Sequence, residues 1–166
     1  MEETKKIRTR AEVPVEDTWA VEDLYPSDAA WEEALNEIVA NKDKLSAYAG
    51  HLGDSGKTLY DFLYADEMEG VTVSRLANYC MRCRDVDTAN PVYQAMYGKF
   101  MGTMVSLQAE RSFETPEIMA ISDEKLSQMY ADEPKLERYR RYLTNARRRR
   151  EHFLSPAEEK LLAAAQ

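Results

Sequence analysis

Residues 90–113 read NPVYQAMYGKFMGTMVSLQAERSF, the clearest helical period in the chain. Tyr93, Tyr97, Phe100, Met104, Leu107 and Arg111 recur at alternating steps of four and three, which sets them on one side of an α-helix. Ala95, Gly98, Gly102, Ser106 and Ala109 fall roughly opposite. One face is therefore large and apolar, the other small. Each interior Gly costs about 1 kcal/mol relative to Ala, so two on one stripe predict that another backbone comes close there. Asn90 suits the N-cap and Pro91 the first helical position. At 1.5 Å per residue the helix would be roughly 35 Å long, enough to run through a small domain.

Working outward, the rest of the chain reads as more helix. The 166 residues are enough for a domain with a real core, and Gly and Pro are sparse at six each. Val, Ile and Thr do not alternate in runs, so strand signals are nearly absent. The expected fold is all-α, a multi-helix bundle around a long central helix at about 90–113. The formal net charge of −8 disfavours nucleic acid or an anionic membrane as partner. No apolar run is long enough to span a bilayer, and MEETKKIRTRAEV lacks the apolar centre of a secretory signal. Two cysteines without an export signal predict a reducing, cytoplasmic setting.

Before the long helix, residues 1–18 form a charged arm, extended or disordered, with Val13-Pro14-Val15 extended. Trp19, Leu24 and Tyr25 are apolar anchors ahead of a turn at Pro26. Ser27 or Asp28 caps a helix carrying Trp31, Leu35, Ile38, Lys42 and Leu45, which should end near Gly50. After a loop at 51–56, a second helix bearing Leu59, Phe62 and Leu63 should stop near Gly70. A third, at about 72–84, carries Val73, Leu76, Tyr79, Cys80 and Cys83.

Beyond the long helix, Pro116 starts a short helical turn and Ser122 caps the segment 123–130. Asp132 is expected to cap a helix with Leu136, Tyr139, Leu143 and Ala146 that closes on Arg147–Arg150. The helical domain thus covers 19–153. Ser155-Pro156-Ala157-Glu158 is a capping box that opens another helix over 154–166. That helix has no closing Gly, Asn or Pro, which suggests a chain cut short.

Candidate chemistry is thin. Cys80-Met81-Arg82-Cys83 is a C-x-x-C, but it sits late in a helix on its apolar side, where free thiols pack as small hydrophobes. Redox sensing or adventitious metal are its alternatives. Arg147–Arg150 with Arg138, Arg140 and Arg141 form a basic stripe, read as a solvated helix end rather than a phosphate site. His51 and His152 lie at no metal-motif spacing, and His152 has no neighbouring nucleophile. Met96, Met101 and Met104 read as adaptable core. No residue is assigned a catalytic, cofactor-binding or metal role.

Six blocks, in order, carry a resemblance. They are Trp19-Ala20-Val21-Glu22-Asp23-Leu24-Tyr25-Pro26-Ser27 with Trp31-Glu32, Leu45 to Leu52, Asp85 to Tyr93, Phe113 to Ile118, Leu136 to Leu143, and His152 to Ala163. Together they resemble the N-terminal region of oligoendopeptidase F, a zinc metallopeptidase family related to thimet oligopeptidase. The resemblance implies a parent enzyme that hydrolyses short peptides, with this region as one wall of a substrate channel. It implies zinc held by H-E-x-x-H and a further Glu in a C-terminal catalytic domain, none of which is in this sequence. This chain alone should then be inactive and hold no cofactor, and its partner would be that missing domain. The alternative is a stand-alone helical interaction module without enzymatic activity.

Overall fold

A computed structural model describes Arg8 and residues 12–148 of the chain. Among these residues every regular element is helical: α1 (Asp28–Ala40), α2 (Asp43–Ser46), α3 (Gly56–Val86), α4 (Pro91–Glu110), α5 (Glu114–Ala120), α6 (Asp123–Asp132) and α7 (Arg140–Arg147). Short 3-10 turns occupy Val15–Asp17, Val21–Asp23 and Pro134–Tyr139. The all-α expectation holds. The expected helix after Ser155, with His152, Arg149 and Arg150, lies outside the described residues.

Capping explains several helix starts. The Ser27 hydroxyl accepts the Ala30 amide at 3.2 Å, Asn90 Oδ1 accepts Val92 N at 3.0 Å, and Ser122 Oγ accepts Lys125 N at 3.1 Å. Other boundaries differ from expectation. α1 stops at Ala40, where the Asn41 amide bonds back to the last turn and the backbone leaves the helical region; α2 and a run of turns come next. Gly70 does not end a helix. A glycine that ends a helix commonly does so in the left-handed conformation, and among the described residues the positive-φ glycine is Gly50, at +85°. α3 therefore runs unbroken for 31 residues and is longer than α4. Glu133, rather than Asp132, caps the segment after α6 by accepting Lys135 N at 3.2 Å, and that segment starts as a 3-10 helix.

The chain divides into two compact units, 1–41 with 69–107, and 42–68 with 108–166. The core of the first is built from Trp31, Leu35 and Ile38 of α1, Leu76, Tyr79, Cys80 and Cys83 of α3, and Met96, Phe100 and Leu107 of α4. Its buried polar atoms are satisfied locally. Trp31 Nε1 donates to Leu76 O at 2.9 Å, and Tyr79 Oη donates to Asp28 Oδ1 at 2.8 Å.

The core of the second unit gathers Leu45, Leu52, Leu59, Phe62 and Leu63 with Ile118, Ile121, Met129, Tyr130, Leu136, Tyr139 and Leu143. Glu117 of α5 fixes the Gly50 turn: its carboxylate accepts Gly50 N at 2.6 Å and Leu52 N at 3.1 Å. Gly56 is required for packing, since a Cβ there would stand 2.4 Å from the Met129 carbonyl oxygen. Arg111 pairs with Asp66 at 2.6 Å, and Tyr142 Oη donates to Glu114 at 2.5 Å.

Candidate functional site

α4 presents the predicted large face to the core of the first unit, with Phe100 and Leu107 buried and Tyr93, Tyr97 and Met104 half-buried. The small face behaves otherwise. Ala95, Gly98, Gly102 and Ser106 are all exposed, and a Cβ at Gly98 or Gly102 would meet nothing within 4 Å. The close backbone expected there is not among the described residues. Met101 and Val105 share this outer face at 42% and 65% exposure. Lys99, also exposed, borders this face and pairs with Glu32 of α1. Gly70 on α3 also has open space around it.

Trp19 corrects another expectation. It is no core anchor: the indole is 76% exposed, whereas Leu24 and Tyr25 are half-buried against the first core. A 3-10 turn lies on either side of it, and Arg82 lies over the ring, 5.4 Å from its centroid. Beside it opens a cleft of about 620 Å³ lined by the segment 13–21, the last turn of α3 and the start of α4.

The C-x-x-C lies near the end of α3 rather than at a helix start. Both thiols are free and buried, and Cys80 Sγ donates to Ala77 O at 3.3 Å. Burial pushes the Cys80 thiol up to about 11. Burial also raises Cys83, helped by the Asp28 carboxylate. Both effects remove the thiolate that redox or metal chemistry needs.

Three arginines of the basic stripe are paired. Arg138 reaches Glu67, Arg140 pairs with Glu137 and stacks on Tyr130, and Arg147 reaches Asp123 at 2.5 Å. His51 Nδ1 lies 2.8 Å from Asp54 Oδ2 on an exposed turn. Among the described residues no group of three or more His, Cys, Asp or Glu could hold a metal ion. They do not fit a zinc site. No helix among them is long and apolar enough to cross a membrane.

Against this geometry stand the relatives. A family profile described as Oligopeptidase F matches residues 117–166. Oligopeptidase PepF of Bacillus subtilis (strain 168) is 35% identical over 171 residues, covering 99% of this chain and 25% of that protein. The chain belongs to the oligopeptidase F family. Plasmid-borne oligoendopeptidase F of Lactococcus lactis subsp. cremoris is 31% identical over 95% of this chain and 26% of its own length.

The crystal structure of oligoendopeptidase-F from Enterococcus faecium matches 84% of this chain and 28% of its own, with TM-score 0.70 and 28% identity. A provisionally assigned peptidase from Chlamydophila abortus matches 96% of this chain and 27% of its own, with TM-score 0.83 and 25% identity. The chain corresponds to the N-terminal domain of oligoendopeptidase F-like peptidases and spans about a quarter of the length of the relatives it matches.

Proposed function

We propose that this chain is the non-catalytic, N-terminal helical part of an oligoendopeptidase F-like zinc metalloendopeptidase of the cytoplasm that hydrolyses short peptides. In that enzyme it forms a wall of the substrate channel and packs on the remainder of the polypeptide. Zinc and the reacting groups belong to that remainder.

The outer face of α4 carries the docking part of this reading. Two glycines in a helix cost about 2 kcal/mol, and nothing among the described residues needs them. A backbone packed against them from outside would explain their presence. Exposed Met101 and Val105 supply apolar contact on the same face. A stand-alone module would have no use for the rest of a family member.

Co-expression tests this. A tagged 166-residue chain is produced with the three-quarters of Bacillus subtilis PepF that lies outside the matched stretch. The two should co-purify. Gly102→Glu and Val105→Glu should abolish that without lowering helicity or melting temperature, because both positions face solvent in the chain alone. Failure of the unmodified chain to co-purify, or equal recovery of the variants, would remove the docking assignment.

A further inference from the structure

Trp19 opens the first block of the family likeness, yet no core takes it up. An indole at 76% exposure wastes a large apolar surface unless something covers it. Its surroundings are shaped rather than flat. Trp19, Val21 and Arg82 line both the 620 Å³ cleft and a second cleft of about 290 Å³. The ring thus stands at the edge of two adjoining hollows.

The larger cleft has the volume of an ordinary ligand site. Val21 and Tyr93 are half-buried within it, and Val86, at its edge, is 50% exposed. Its ionic groups are three carboxylates, Asp17, Asp85 and Asp87, against one guanidinium, Arg82. Two of the carboxylates are committed. Asp85 lies 3.1 Å from Arg84 and 3.7 Å from Arg82, and Asp87 accepts the Ala89 amide at 3.0 Å. The side chain of Asp17 takes no partner among the described residues. Arg82 is committed as well, to Asp85 and to the Trp19 ring. What remains on offer is an aromatic face, a valine-lined hollow and one open carboxylate. An anion meets net repulsion there, which sets aside phosphates and acidic peptides.

We propose that this cleft binds an extended peptide segment in which an apolar side chain neighbours a positively charged one. The apolar side chain covers Trp19 and enters between Val21, Val86 and Tyr93. The cation lies against Asp17. This goes beyond the docking proposal, because it needs no other part of the polypeptide, and each can fail without the other.

Calorimetry on the intact 166-residue chain tests it with two probes, the N-acetylated tripeptide amides Lys-Phe-Leu and Glu-Phe-Leu. The Lys peptide should bind saturably and blue-shift the Trp19 emission, since Trp31 is already buried. The Glu peptide should bind at least about fivefold more weakly. Asp17→Asn should weaken the Lys peptide about three- to tenfold, and Trp19→Ala should weaken it about tenfold or more by calorimetry. Three results would overturn the proposal. The first is no saturable binding of the Lys peptide below about 10 mM, and the second is equal affinity for the two peptides. The third is a blue shift that tracks chain concentration without peptide, which would put a second copy in the cleft.

Discussion

Gly98→Ala and Gly102→Ala should each make the isolated chain more stable. Both positions lie inside α4, with exposed neighbours and open space around an added Cβ. The substitution therefore changes helix propensity and nothing else in the fold. Gly is about 0.8–1.0 kcal/mol less favourable than Ala in a helix interior, so the double variant should gain about 1.5–2 kcal/mol. For a chain of this size that corresponds to a melting temperature roughly 3–8 °C higher.

Gly56→Ala is the control of opposite sign. Its Cβ would lie 2.4 Å from Met129 O and 3.1 Å from Glu133 Cβ, so a backbone carbonyl must move. Overpacking of that kind costs about 1–3 kcal/mol. Urea unfolding monitored by helical circular dichroism measures all three. Destabilisation by either α4 variant would refute the reasoning, because it would mean that the outer face is already packed in this chain. An innocuous Gly56→Ala would show that the glycine contacts had been misjudged.

Other outcomes concern the second unit and the thiols. Glu117→Ala leaves the amides of Gly50 and Leu52 without their acceptor and should cost about 1–3 kcal/mol by urea unfolding. Burial raises the Glu114 carboxyl, partly offset by the Tyr142 hydroxyl. A carboxyl with a raised folded-state value binds its proton more tightly in the fold, so it favours folding more as pH falls from neutral toward the ordinary carboxyl range. Glu114→Gln should therefore gain on the parent most at neutral pH, and that advantage should shrink toward about pH 4.5; an advantage that grew on acidification would contradict the assignment. Cys80 and Cys83 should react with a thiol reagent at pH 8 only on unfolding, and fast labelling of the native chain would revive a redox role.

Local rules with a single physical cause were legible in the sequence. Ser27, Asn90 and Ser122 cap where their side chains can reach a free amide. The period of Tyr93, Tyr97, Phe100, Met104 and Leu107 marks the buried face of α4. The misreadings share a cause: a residue type has several uses, and tertiary context selects one. Gly70 can end a helix or sit within one, and core residues on both sides of it in α3 hold the helical form. Trp19 is apolar enough for a core, but it lies exposed between the turns at Val15–Asp17 and Val21–Asp23. Gly98 and Gly102 called for a close backbone that the described residues do not provide. The Trp19 cleft was not legible, because it joins the segment 13–21 to the end of α3 some sixty residues on.

The central claim is that these helices are a scaffold and the reacting half of the enzyme lies elsewhere. The most direct test incubates the purified 166-residue chain with zinc and a set of short peptides, with and without a chelator. The account predicts no stoichiometric zinc and no cleavage of any peptide. Tightly held zinc together with chelator-sensitive hydrolysis by this chain alone would contradict it.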